Sequence, residues 1–219
     1  MTPRKTATTT ASRNGRGSGG RESVGRDAVV QAALQLFLRH GYAGTSMKAL
    51  AQELGISAPA LYWYFPSKDE LYSCVIETSM TDFATHVRRS TTESEPRERL
   101  SQIVRAHVSW QLQQSDVARV FELTMHRRSG SPDIPDTRLQ SVVDMEREYV
   151  ESIRAVLRDG AEQGVFDVDD VKTTAFAIIT LCEYVHTWYN PRGEMSISAV
   201  ADRYAAMVMR MVEAPTASR

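Results

Sequence analysis

The side chains in this chain that could do chemistry do not form a catalytic set. No nucleophile has a base near it, no carboxylates are paired in a defined setting, and no strand leads into a phosphate loop. The glycines of GRGSGG follow no strand and lack the Lys-Ser/Thr that would grip phosphate and magnesium. His107, His126 and His186 are not at paired metal-ligand spacing, and Cys74 and Cys182 belong to no metal or redox spacing. What remains is binding chemistry. One group is compact: Ser57, Tyr62, Trp63 and Tyr64 put hydroxyls and aromatic rings into one short run. The other is dispersed. Trp110, Phe121, Met125, Tyr149, Tyr184 and Trp188 are large, some have a polar tip, and they fall on different segments. That is what a ligand pocket between helices needs, and equally what an ordinary core uses. The chain is therefore expected to bind rather than to catalyse, with no cofactor and no metal.

The compact group is positioned by TSMKALAQELGISAPALYWYF, Thr45 to Phe65. Thr45 is expected to cap a helix whose apolar face is Met47, Leu50, Ala51 and Leu54. Gly55 sits where that helix must stop, at a position favouring a left-handed residue. Ser57 can cap a second helix with Pro59 in its first turn, and Leu61 and Phe65 return to the buried side. Ala51 is small where the two helices cross, and Ile56 plugs the angle. Two helices joined by so short a turn are a helix-turn-helix, the geometry that puts the second helix in a DNA major groove.

The flanking elements follow from the same signals. Residues 1–25 carry five basic residues against one acidic and almost nothing to bury, so a disordered basic arm is expected there. Arg26 to His40 should form a bracing helix with Val29, Val30, Ala33, Leu34 and Phe37 inward, ended by Gly41, with Tyr42 packed behind the motif. Ser67 and Glu70 make a capping box for a helix to about Arg89. It starts beside DNA and ends deep in the rest of the protein, with Phe83 and Val87 reaching the larger part. Pro96 begins a helix to about Gln114 with Leu100, Ile103, Val104, His107 and Trp110 inward. Further helices are expected over Val117–Arg128, Thr137–Gln163, Asp167–His186 and Ile197–Val212. No strand pattern appears, so the fold is all-α. Residues 26–72 form the DNA-binding module, 73–213 a ligand-binding and dimerisation domain, and 214–219 a tail.

Composition agrees. The 219 residues are 42% hydrophobic, enough for a packed core, and the formal net charge is −1, so DNA affinity must come from local positive charge. No apolar run is long enough for a membrane span, and the polar, basic N-terminus is no secretory signal, which points to the cytoplasm. Lys172 to Glu183 encloses the uncharged run TTAFAIITLC, and Ile197–Val212 is similarly apolar. Two such helices, near 168–187 and 197–212, suggest a homodimer through a four-helix bundle, with Ile178 and Val208 at the interface.

The run Ala32 to Tyr72 resembles the tetracycline-repressor (TetR) family of bacterial transcription regulators. The resemblance is carried by Gly41-Tyr42, Thr45-Ser46, Ala51, Gly55-Ile56-Ser57, Leu61 to Phe65 and Ser67 to Leu71. Tyr64 stands where the family more often has histidine. The family pattern implies that Thr45, Ser46 and Lys48 face phosphates. It implies that Ser57, Ala58, Pro59, Ala60 and Tyr62 enter the major groove, while Tyr62, Trp63, Tyr64 and Lys68 clamp the flanking backbone. No Lys, Arg, Asn or Gln occurs between Ser57 and Phe65, so the strong bidentate pairs to guanine or adenine are not available from this helix. Thymine methyl contacts, hydroxyls and DNA shape remain. The resemblance implies a homodimeric repressor of a palindromic operator, released by a small-molecule effector. Trp188 to Ser196 looks like a link found in regulators of fatty-acid and steroid degradation, several of which answer to acyl-coenzyme A thioesters. A lipophilic compound acting on an efflux regulator is the alternative effector, and a helical enzyme the alternative class.

Overall fold

The computed structural model describes residues 25–116 and 140–214. Among these, the helices are α1 (Arg26–Gly44), α2 (Met47–Glu53), α3 (Ala58–Tyr64), α4 (Lys68–Ser90), α5 (Pro96–Gln113), α6 (Gln140–Glu162), α7 (Val171–Glu183) and α8 (Ile197–Val212). A short 3-10 turn, Tyr184–Thr187, follows α7. There is no strand among the described residues, only an isolated antiparallel bridge between Phe166 and Glu213. No helix of the described residues is long and apolar enough to cross a membrane. The basic arm, the segment expected to be helical over Val117–Arg128, Phe121 and Met125 within it, and nearly all of the tail lie outside the described residues.

Local chemistry explains the breaks. Gly41 (φ 68°) ends the regular part of α1, Gly55 (φ 63°) turns the chain between α2 and α3, and Gly164 (φ 70°) follows α6. Each is a left-handed backbone that a side chain would resist. Ser57, Ser67, Asp170 and Ser196 cap α3, α4, α7 and α8 through side-chain oxygens that accept backbone N–H groups. Such a cap contributes about 1 kcal/mol.

One cap differs from expectation. Ser46, not Thr45, caps α2, accepting from Ala49 N at 3.1 Å. Thr45 is 3% exposed, and its hydroxyl donates to Gly41 O at 2.8 Å and Leu36 O at 3.3 Å. The left-handed turn at Gly41 takes α1 carbonyls out of their helical pairing, and the Thr45 hydroxyl fills that need. Ser46, one residue on, has the extended backbone that lets its oxygen reach forward.

Two apolar cores result. The first joins α1, α2, α3 and the start of α4 around Phe37, Leu50, Leu61, Phe65 and Ile76, and it also takes Val142 from α6. The Tyr42 ring packs edge-on against Tyr72 at 5.0 Å, and its hydroxyl donates to Asp69. The second core joins the rest of α4 with α5 to α8; α8 lies along α5 and buries Val200, Ala201, Tyr204, Ala205, Val208, Met209 and Val212. The end of α8 is tied back to the loop after α6. Asp167 N donates to Val212 O at 2.8 Å and Ala214 N to Val165 O at 3.2 Å.

Helix α7 buries only Ala175, Ile178 and Cys182, leaving Phe176 47% exposed beside exposed Ala177 and Thr180. Ile178 and Val208 are 1% and 0% exposed within the protomer, so they do not lie on its outer face as expected. At helical spacing the residues that look outward on α7 are the neighbours of those that look inward, and the uncharged run conceals which is which.

Candidate DNA-facing surface and ligand cavity

The helix-turn-helix presents a hard surface of small and aromatic groups. Ser46 and Lys48 are exposed at the start of α2, and Ser57 and Pro59 at the start of α3. Ala58 and Ala60 are half-buried, Ala58 packing partly against the first core. Tyr62 is exposed and Trp63 is 80% exposed, while Tyr64 is half-buried with its ring edge-on to Trp63 at 5.0 Å. Thr45 faces the core, so its hydroxyl does not join the phosphate-facing group implied by the family pattern.

Lys68 has a different setting from the one implied. Its Nζ donates to Tyr42 O at 2.9 Å and to Thr45 O at 3.1 Å, and it lies 4.0 Å from the centre of the Tyr42 ring. The ammonium thus ties the start of α4 to the turn between α1 and α2, and two of its three N–H groups are committed there. Carbonyls turned out of a helix end attract a cation, and the proximity of that helix end draws Lys68 inward.

Behind this module, α4, α5, α6 and α7 line a partly open cavity of about 760 Å³. This is within the usual range of roughly 300–1,000 Å³ for small-molecule sites. Helix α4 contributes Met80 and Phe83, α5 Trp110 and Gln111, α6 Val143 and Tyr149, and α7 Phe176 and Ile179. Trp110 and Tyr149 therefore stand where the sequence suggested. Tyr184 and Trp188 do not line this cavity. The 3-10 turn carries the chain past it, and Trp188 instead stacks on Tyr204, donating its Nε1–H to the Tyr204 hydroxyl at 3.0 Å.

Sequence reading missed Gln111 and Phe176 as cavity residues. Gln111 had a signal: it is polar on the apolar stripe of α5, four positions after His107. His107 is buried, with Nδ1 2.8 Å from the Tyr149 hydroxyl and Nε2 3.2 Å from Gln111 Nε2. Burial lowers its pKa to about 3, so the imidazole is neutral. Burial, with Cys182 and Glu183 nearby, pushes the Tyr149 phenol well above its ordinary value, so it keeps its proton.

Charges ring the apolar wall: Glu146, Glu151 and Glu183 with Arg147 and Arg154. The arginines have acidic partners, Arg147 with Asp144 at 3.0 Å and Arg154 with Glu151 at 3.6 Å. The Arg154 guanidinium also lies 5.5 Å from the Phe176 ring centre. Two buried atoms of the wall, Gln111 Oε1 and Arg154 Nε, have no hydrogen-bond partner.

Residues 29–74 match the model of bacterial regulatory proteins of the tetR family, and residues 93–212 match the tetracyclin repressor-like C-terminal domain. The class C tetracycline repressor of Escherichia coli is 39% identical over 61 residues, a span of 28% of either chain. The transcriptional repressor KstR2 of Mycolicibacterium smegmatis is 24% identical over 194 residues, covering 84% of this chain and 88% of the relative. The structure of AibR with isovaleryl coenzyme A and operator DNA shares the fold. Its TM-score is 0.71 at 21% identity, and the match covers 83% of this chain and 96% of that one.

Proposed function

Because the chain belongs to the TetR family of transcriptional regulators, we propose that it is a homodimeric repressor that holds a palindromic operator and releases it when an effector fills the α4–α7 cavity. One observation carries the reading. Helix α4 starts at Lys68, three residues after Phe65 caps the recognition helix, and further along places Met80 and Phe83 in the cavity wall. A ligand that displaces those side chains acts on the same rigid element that sets the recognition helix. In a dimer the two α3 helices must stand about 34–36 Å apart to enter successive major grooves. A small swing of α4 in each subunit changes that separation, and duplex DNA follows only at an energetic cost.

On the DNA side the residues are Ser46, Lys48, Ser57, Pro59, Tyr62, Trp63 and Tyr64, with Ala58 and Ala60 giving close approach. The exposure of Trp63 and Tyr62 supports this, since large rings are seldom left in water without use. The dimer face is the outward side of α7 and α8. Exposed Phe176, Ala177 and Met211 are apolar surface that a second copy would cover. An acyl-coenzyme A effector is the alternative that the AibR complex favours. Against it, the described arginines of the cavity already face carboxylates, Arg147 with Asp144 and Arg154 with Glu151, although Arg154 Nε is left without a hydrogen-bond partner.

The test is operator affinity of the full chain with and without candidate effectors, together with its oligomeric state. Binding to a palindrome from its own promoter region should fall by roughly 5- to 150-fold on effector addition, the ordinary range of allosteric coupling. Operator should weaken effector binding by the same factor. If no small molecule shifts operator affinity, the ligand-gated reading fails. A Phe176→Asp/Met211→Asp protein that stays dimeric would place the subunit contact elsewhere.

A further inference from the structure

Between residues 26 and 72 the DNA-facing module has Arg26, Arg39, Lys48 and Lys68 as its only Lys and Arg side chains. Two of them are committed within the fold. Arg39 Nη2 lies 2.9 Å from Glu53 Oε1 and ties α1 to α2. Lys68 is turned to the carbonyls of Tyr42 and Thr45. Lys48 is exposed at the start of α2. The recognition helix supplies no cation of its own between Ser57 and Phe65. A helix in the major groove runs between two phosphate backbones, and a large share of its affinity comes from neutralising them. Lys48 offers that charge from α2, which leaves the end of α3 to be served from another element.

Arg26 stands at that end. It is the first residue of α1 and is exposed. Its guanidinium carbon lies 4.6 Å from the centre of the Phe65 ring, and Phe65 caps α3 at its C-terminal end. At that distance the ring attracts the cation, and the carbonyl end of the helix adds to the attraction. Phe65 is 2% exposed, so the platform under the guanidinium is a packed core ring. A guanidinium laid over a ring uses its flat face. Its five N–H groups point outward in its plane, where they can donate. Among the described residues no carboxylate lies within ion-pair distance of Arg26. Phe65 follows directly on exposed Trp63 and half-buried Tyr64, so the cation extends the aromatic run of α3.

We infer that Arg26 binds the DNA backbone: its guanidinium, stacked on Phe65, donates to a phosphate beside the C-terminal end of α3. The planar fork matches two phosphate oxygens at once. The contact carries no sequence information; it adds affinity and fixes how α3 sits in the groove. This inference rests on α3 being the groove-facing helix.

The experiment is fluorescence anisotropy of the full chain over a salt series. The probes are a labelled duplex carrying the palindrome from its own promoter region and a scrambled duplex of the same length. Arg26→Met keeps a long side chain over Phe65 and removes the charge, since an arginine can also serve by packing. It should weaken binding to both duplexes by the same factor and flatten the slope of log affinity against log salt by about 0.9 per protomer engaged. Arg26→Lys keeps the charge but gives up the fork, so it should restore the slope and only part of the affinity. Thermal melts followed by circular dichroism run beside these. A lowered melting temperature with an unchanged slope means that Arg26 only covers Phe65, and the inference is overturned. So does a loss confined to the palindrome, which marks a base contact. Wild type that binds with a steep slope equal to that of Arg26→Met sinks this inference and leaves the DNA-binding reading standing. Wild type that binds neither duplex sinks that reading, and this inference with it.

Discussion

Trp63 and Trp110 are the same side chain in two settings. Trp63 stands on α3 with 80% of its surface in water. Trp110 lines a cavity between four helices, its ring 6.2 Å from Phe83 and 5.4 Å from His86. The first is displayed by local structure alone: a capped turn, a short helix, and a position facing away from Leu61. The second has meaning only after α4, α5, α6 and α7 have met. A surface made by adjacent residues and a cavity made by distant ones answer differently to perturbation.

Acid should separate them most strongly. His107 is held neutral in the larger domain with its pKa lowered to about 3, while an unfolded imidazole titrates near 6.5. Between those values the unfolded chain binds more protons, so this contribution to stability falls as pH drops through 6.5 and is exhausted near 3. The slope should approach about 1.4 kcal/mol per pH unit within that window. In the DNA-facing module the histidine is His40, which lies exposed at the surface. Urea melts from pH 7 to pH 4 measure this. His107→Gln should flatten the dependence, and an unchanged slope would mean that another group drives it.

The next effect belongs to the module. Lys68→Ala removes two charge-assisted hydrogen bonds to Tyr42 O and Thr45 O. A loss of roughly 1.5–3 kcal/mol in stability is expected. Lys68→Arg should recover little, because a planar fork does not reproduce a compact ammonium set over a ring. If thermal stability is untouched while DNA binding weakens, Lys68 serves phosphate and not the fold.

The smallest effect sharpens the DNA side alone. Lys48 is exposed at the start of α2. Lys48→Ala should leave stability within about 0.5 kcal/mol and reduce the slope of log affinity against log salt by about 0.9. Fluorescence anisotropy over a salt series reads both the affinity and the slope.

These differences also explain what the sequence discloses. The helix-turn-helix is legible because its information is local: Gly55 at a positive φ, Ser57 and Ser67 as caps, Leu61 and Phe65 four apart. The confusion of Thr45 with Ser46 arose because the two hydroxyls are adjacent and only the Gly41 turn decides which one faces inward. The cavity was half legible. Trp110 and Tyr149 are large groups on inward faces, but nothing in the order of residues tells that Trp188 is carried away by a 3-10 turn. Phe176 was hidden in an uncharged run where periodicity gives no phase. Gln111 makes sense only beside His107 and Tyr149, and Tyr149 is on another helix.

Val142 stands in α6, yet it is fully buried in the core of the DNA-facing module, and its near neighbour Met145 touches both cores. For anyone building a biosensor by grafting this effector domain onto a foreign recognition module, the seam is thus not a point on the chain. A cut after Tyr72 leaves the recipient module with Val142 arriving at a surface not shaped to receive it. A hybrid that keeps Val75, Ile76 and Val142 with the residues they touch transplants the joint as well as the parts.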